Sequence, residues 1–374
     1  METEPYIRRF RMIKKTWQLY FFNELLKLSL LILGSFYLLY VLIDYSAHSK
    51  TFNQEILPFY KVLCYYIFQF TKRLDLLLPV ALLISSIKVL ATANLRGEIL
   101  ALVTGGIPTR RLLTPFLFAA FLATSLCYAN YQWIAPKSLN WIDHFEQQYF
   151  QSKKDEKNIV YQVWLEDNSV LIYQNYNAAD HRFFDVLWIK SLDAIYKMRW
   201  LDLSTLRPKG KWVDYFERNE KGELTCKTSL EELELPDIQF KKGNLTAAIY
   251  PPKNQPIGEL LKSVAQKGDL FKLHTMQRQE AVVATQLYYK LLMPFACVLV
   301  VLGPTPFLLR FGRNLSIFWI FAASLTALIT FFTMMSSSVI LAESQVIPPL
   351  IAIAFAPLLY SILITYGLKF VFFQ

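Results

Sequence analysis

The stretch Leu76–Pro108, LLLPVALLISSIKVLATANLRGEILALVTGGIP, decides how the rest of the chain is read. Residues 76 to 94 are apolar and, at roughly 20 residues, long enough to cross the hydrocarbon core of a bilayer. Beyond Asn94 the pattern changes. Arg96 and Glu98 are followed by Leu100, Ala101 and Leu102 and stopped by Gly105-Gly106 and Pro108, which predicts a short amphipathic helix after a membrane helix. Working outward, further apolar runs of spanning length lie at about 19 to 43, 112 to 135, 286 to 309, 315 to 341 and 347 to 372. Six membrane helices are therefore expected, three on each side of a long insert. Phe59 to Phe70 is also apolar, but about 12 residues are too few to span. Lys72, Arg73 and Asp75 separate it from the next run, so it reads as a re-entrant or interfacial piece, or as the protruding end of a long second helix.

The 374 residues carry a net charge of +10, yet residues 137 to 280 contain 21 basic and 21 acidic side chains. The whole excess sits in the flanks, where 18 basic residues face 8 acidic ones. This excludes a basic nucleic-acid-binding domain as the source of the high pI. It excludes disorder as well, because charge is sparse where hydrophobicity is high. Short loops with Lys and Arg mark the cytoplasmic side. Arg8, Arg9, Arg11, Lys14 and Lys15 precede the first helix, Arg96, Arg110 and Arg111 follow the second, and Arg310 and Arg313 follow the fourth. The count puts both termini inside and the insert outside. The first apolar run is too long for a cleaved signal peptide and reads as an uncleaved helix. Cys226 is alone in the insert, so no disulfide is expected there.

The insert reads as β. Residues 159 to 165 (IVYQVWL) and 170 to 176 (VLIYQNY) flank the turn-forming cluster Glu166-Asp167-Asn168-Ser169, which predicts a hairpin. Segments at 185 to 192, 196 to 203, 211 to 216 and 223 to 230 follow at intervals of about ten residues, with Lys209-Gly210 and Lys221-Gly222 read as turns. Such spacing favours a sandwich, jelly roll or open barrel. An apolar inner face suits an ordinary core or a slot for an acyl chain.

A search for catalytic chemistry is mostly negative. His48, His144, His181 and His274 show no metal-ligand spacing, and no phosphate-cradling G-x4-G-K-[ST] occurs. Ser85-Ser86-Ile87-Lys88 matches S-x-x-K, but its serines fall within a membrane helix, from which Lys88 can reach the surface. An intramembrane enzyme needs an ionisable pair facing a cavity, and charge inside the helices is scarce. The amphipathic segment at 94 to 107 is either a polar connector or a docking helix for a cytoplasmic partner.

At Leu76–Pro108 the chain resembles the segment that marks the YjgP/YjgQ permease family, the LptF/LptG subunits of the lipopolysaccharide export transporter. Trp133-Ile134-Ala135-Pro136, Lys290-Leu291-Leu292-Met293-Pro294, Leu302-Gly303-Pro304 with Arg310 and Arg313, and Ile347-Pro348-Pro349 with Ala356-Pro357 agree in order and spacing. The resemblance implies an α-helical membrane protein of the bacterial inner membrane: helices 1 to 3 in residues 1 to 136, a periplasmic jellyroll-like β domain in 137 to 280, helices 4 to 6 in 281 to 374. It implies a transporter subunit without its own ATPase site, ATP and Mg being bound by a dimeric cytoplasmic ABC ATPase. The other implied partners are a second homologous permease, a membrane-anchored LptC-like protein, a periplasmic jellyroll bridge and lipopolysaccharide.

Glu98 takes the place of the family's docking-helix glutamate, supported by Arg96, Leu100 and Leu102. Lys72 and Arg73 stand where family members of one type carry a head-group lysine; the bland alternative is snorkelling or a pair with Asp75. Lys50 and Lys61 are weaker candidates, and Phe36, Tyr40 and Phe307 to Leu309 are expected in the apolar lining. The family's charged cluster before the fourth-helix proline is replaced by Gln286-Leu287-Tyr288-Tyr289-Lys290, and the first helix lacks late basic residues between Tyr37 and Ile43. Gly97 is expected to loosen the docking helix by up to about 1 kcal/mol. The WIAP and IPP elements are closer to LptG than to LptF. A membrane-anchored scaffold or sensor with a β-type binding domain is the competing reading.

Overall fold

The computed structural model describes residues 16–54, 58–150, 161–165, 167, 169–177, 182–203, 207–219, 222–239, 251–266, 278–311 and 316–373. The N-terminal basic cluster and Arg313 lie outside these residues, as do the side chains of Lys50 and Arg310. The chain forms two compact units: Met1–Asp143 with Pro256–Gln374, and His144–Gln255. The second is narrower than the insert at 137 to 280, because helices from both of its ends pack with the first unit.

In the membrane unit, α1 (Thr16–Gln54) and α2 (Phe59–Leu95) are followed by α3 (Glu98–Thr104), α4 (Thr109–Leu112) and α5 (Thr114–Ala129). A π turn at Asn130–Ile134 leads into α6 (Ala135–Tyr149). After the second unit come α7 (Ile257–Gln266), α8 (Arg278–Leu292), a 3-10 turn at Met293–Phe295, α9 (Ala296–Leu302), α10 (Pro304–Phe311), α11 (Ile317–Glu343) and α12 (Pro349–Phe373). Among the described residues six segments are long and apolar enough to cross a membrane, each overlapping one of the runs read from the sequence. Phe59 to Phe70 is the first part of α2, continuous with the run beyond Asp75, so it is no separate re-entrant piece. At 37 residues α2 is roughly 55 Å long. That is longer than an apolar layer of about 30 Å.

Packing follows from small and branched residues. Ala119, Ala120 and Ala123 on α5 let α2 and α9 approach, and Leu83, Leu90, Phe116, Cys297 and Val301 close one core cluster. Leu287, Met335, Ile353 and Ala356 close a second, among α8, α11 and α12. The fourth span is broken twice, at Pro294 and at Gly303-Pro304, where proline removes the backbone donor that an unbroken helix needs.

The described residues of the second unit form a seven-stranded antiparallel sheet: β1 (Tyr161–Trp164), β2 (Val170–Tyr173), β3 (Asn175–Asn177), β4 (Arg182–Ile189), β5 (Ala194–Asp202), β6 (Lys209–Arg218) and β7 (Leu224–Glu234). The order is β1-β2-β4-β5-β6-β7, with β3 also paired to β4. Among the described residues all strands lie in this one meandering sheet. The hairpin expected around Asp167 is present, Trp164 pairing with Val170. Lys209-Gly210 is not a turn. Gly210 lies inside β6, opposite Leu201 and Leu233, and a Cβ there would stand 2.8 Å from Val213 Cγ2. Close packing, not chain reversal, requires glycine at this position.

One face of the sheet is the core, formed by Leu171, Phe183, Val186, Trp188, Met198, Leu201 and Val213 and covered by Leu235 and Ile238. Trp188, Tyr196 and Tyr215 stack across three strands at 4.9 and 4.7 Å. The Trp188 indole donates to Ser169 Oγ at 2.9 Å, and the Ser169 hydroxyl donates to Asp167 Oδ1 at 2.6 Å. Partial burial pushes the Asp167 carboxyl up, but the hydrogen bonds from Ser169 outweigh it and hold the group below the usual carboxylate range.

Candidate functional site

Two polar places stand out in the membrane unit. The first is the turn from α2 into α3. Gly97 has φ +71°, a left-handed conformation that ends α2, Gly97 N–H bonding back to Asn94 O, and opens α3. It therefore stands outside α3, and the expected helix-interior penalty does not arise. Ile99 is buried and Leu102 packs against the core, while Leu95, Leu100 and Val103 are exposed. Leu102 thus supports α3 from beneath, and Leu95 and Val103 join Leu100 on the exposed edge. Amid that edge Glu98 is held loosely, with Arg96 Nη1 at 3.6 Å and the Tyr20 hydroxyl at 3.5 Å. Asn94 Nδ2 donates to Leu308 O at 2.9 Å, tying this end of α2 to α10.

The second place is the turn Thr71–Asp75 of α2. It lies about 24 residues, roughly 36 Å, from Arg96, more than the apolar thickness of a bilayer. The Arg73 guanidinium sits over the Tyr40 ring, 4.1 Å from its centroid. Asp75 is engaged by tyrosine: Tyr131 Oη donates to its Oδ2 at 2.8 Å, and Tyr289 bonds to the same carboxylate. Lys72 is half-buried and Lys61 lies 11 residues earlier, on nearly the same face of the helix. Tyr40 and Tyr66 both donate to Asp44, at 3.2 and 3.3 Å, and Tyr37 donates to Tyr66 O, so α1 and α2 are joined here by hydroxyls. Lys50 belongs to α1 but its side chain is not among those described.

Sequence reasoning passed over Lys290 as a binding or switching residue. It is 4% exposed in α8, with its Nζ 6.0 Å from the centroid of the Tyr131 ring on the side chain that also bonds Asp75. Its position inside a spanning run was the available signal, since an intramembrane cation marks function by default. Ser85 and Ser86, by contrast, bond back to Leu82 O and Leu83 O and are spoken for within their helix.

An apolar cavity of about 420 Å³ lies among α2, α9, α10, α11 and α12, lined by Leu83, Val300, Phe307, Trp319, Phe331 and Tyr360 among others. Of the residues expected in an apolar lining, Phe307 is in it. Leu308 and Leu309 are buried in the core, and Phe36 and Tyr40 lie on α1 away from this cavity.

No curated protein matches the chain. The family model described as lipopolysaccharide export system permease LptF/LptG matches residues 19–369, both halves of the membrane unit and everything between them. With six described helices long and apolar enough to span a membrane and an inserted antiparallel sheet, the chain belongs to the LptF/LptG permease family, whose members are permease components of lipopolysaccharide export, and is a multi-pass inner-membrane protein.

Proposed function

We propose that this chain is one of two homologous permease subunits driven by a separate dimeric ABC ATPase. In this reading α3 faces the cytoplasm with both chain termini, and Glu98 pairs with a basic residue of the ATPase while Leu95, Leu100 and Val103 bed into an apolar groove beside it. The observation that carries the reading is the exposed apolar edge of α3 around an acid held only at 3.5 and 3.6 Å. A surface already satisfied by its own chain would have little to offer a partner. Arg96 steers the acid, and Gly97 sets the angle of α3 against α2.

Farther back along α2, Lys72 and Arg73 take the phosphates of lipopolysaccharide, with Lys61 and Lys50 as outlying cations; the planar guanidinium of Arg73 suits a forked pair with phosphate. The jelly-roll-like β unit, on the periplasmic side, receives the lipid and passes it to an LptC-like protein and a bridge of similar domains. The WIAP and IPP elements favour the LptG type.

The test is ATP-driven release of lipopolysaccharide from nanodiscs holding the purified complex. Glu98→Ala is expected to lower release at least about tenfold while leaving the complex assembled. Unchanged release removes α3 from the coupling role, and purification as a lone homodimer with no ATPase favours the scaffold reading.

A further inference from the structure

Three consecutive side chains of the π turn Asn130–Ile134 reach three different places. Asn130 Nδ2 donates to Thr71 O at 2.9 Å, Tyr131 Oη donates to Asp75 Oδ2 at 2.8 Å, and Gln132 Oε1 accepts the Gly258 N–H at 3.1 Å. The first two grip the turn of α2 that carries Lys72 and Arg73. Thr71 and Asp75 are four residues apart and share one helix face, so the two bonds act side by side. The third satisfies a first-turn amide of α7 that has no intrahelical partner. A Cβ on Gly258 would stand 3.3 Å from Gln132 Nε2, so the small residue permits this approach.

Chain connectivity gives these contacts their meaning. The helix that leads toward the β unit, α6, begins at Ala135 directly after the π turn, and α7 is the first helix after the β unit. One of the two covalent routes between the units therefore grows out of this turn, and the other is hydrogen-bonded to it. A π turn holds one residue more than an α turn, so a register change there rotates the helix beyond it; such turns recur at functional sites for that reason. The turn is also watched from the fourth span, where buried Lys290 lies by the Tyr131 ring.

We propose that the π turn couples occupancy of Lys72 and Arg73 by a lipid phosphate to the state of α7, and through it to the return route from the β unit. This rests on the reading of those two residues given above. A phosphate that draws Arg73 from the Tyr40 ring shifts the turn 71–75, and the bonds of Asn130 and Tyr131 carry the shift to Gln132 and Gly258. By linkage the coupling is reciprocal: what rearranges α7 changes affinity for the lipid.

The experiment uses the full chain, purified with its native partners in nanodiscs, with and without lipopolysaccharide. Hydrogen exchange of the amides at 258–264 is followed, and a photocrosslinker at Leu76, one turn from Lys72, reports lipid at the site. In the wild type the lipid is expected to crosslink and to change exchange in α7 by about fivefold or more. Gln132→Leu and Tyr131→Phe are expected to erase that change while crosslinking persists, and Gln132→Glu, which retains an acceptor oxygen, is expected to restore it. A lipid-dependent change that survives in both Gln132→Leu and Tyr131→Phe overturns the proposal, as does crosslinking in the wild type with no change in α7. Absence of crosslinking in the wild type overturns the lipid reading of Lys72 and Arg73 and this proposal with it.

Discussion

Leu30, Leu31, Phe318, Trp319 and Ile362 of the membrane unit are each more than 60% exposed, whereas Trp188, Phe183 and Met198 of the β unit are hidden almost completely. Polar side chains run the other way. Ser85, Ser86, Thr285 and Lys290 are buried in the membrane unit, while on the sheet Arg182 pairs with Asp202 and Lys211 with Glu232 at the surface. Both units obey one rule, that a polar group is placed where it can be hydrogen-bonded. In hydrocarbon those partners exist only inside the protein, so hydroxyls and charges turn inward; in water they are everywhere outside, and apolar groups turn inward instead.

The sharpest way to break this comparison is to make one substitution in both units. Leu31→Arg, near the middle of α1 at a position 65% exposed, is expected to cost about 3 kcal/mol of insertion free energy by the insertion scale and to lower the amount of membrane-integrated protein. Leu192→Arg, in the β4–β5 turn and 83% exposed, is expected to stay within about 0.5 kcal/mol. Equal losses, measured by membrane extraction and by thermal unfolding, would show that exposure in the two units does not mean exposure to different solvents.

A smaller effect separates the units by their glycines. Gly210→Ala forces a Cβ against Val213, Leu235 and Met198 and is expected to destabilise the sheet by about 2 kcal/mol through overpacking. At Gly97 nothing lies within 4 Å of an added Cβ, so Gly97→Ala costs only the left-handed backbone, about 1 kcal/mol. Exchange rates of the β6 amides and of the α3 amides read the two effects separately. A larger loss at Gly97 would mean that α3 is constrained by more than its hinge.

The smallest effect belongs to the β unit alone. The Asp167 carboxyl titrates below its unfolded value of about 4, so the stability it contributes is present above that pH and is lost as pH falls through the folded pKa. Because Asp167 is well exposed, the contribution is expected to be about 1 kcal/mol or less. Acid unfolding of the β1–β2 hairpin, followed by amide exchange, should be flatter in Asp167→Ala; an unaltered acid limb would assign that stability to other carboxylates.

Much of this was legible before any coordinates. Spanning runs of about 20 apolar residues can be read directly because a bilayer has a set thickness, and a strand such as VLIY needs only its β-branched and aromatic residues and the turn residues that bound it. The stop at Gly105-Gly106 likewise marked α3 from local signals. What failed to show was remote. Lys209-Gly210 has the composition of a turn, and only the neighbours of β6 reveal that glycine stands there for want of space. Asp75 stands beside Lys72 and Arg73 in sequence, and nothing local shows that Tyr131 and Tyr289 also reach it from two other helices. The sequence by itself thus determined the six spans, the inserted sheet and the short helix at 98–104, since each follows from periodicity and length within one segment. Tertiary structure alone decided that Asn130, Tyr131 and Gln132 bind α2 and α7 together, because hydrogen bonds between residues some 60 to 130 positions apart leave no periodic trace in the chain.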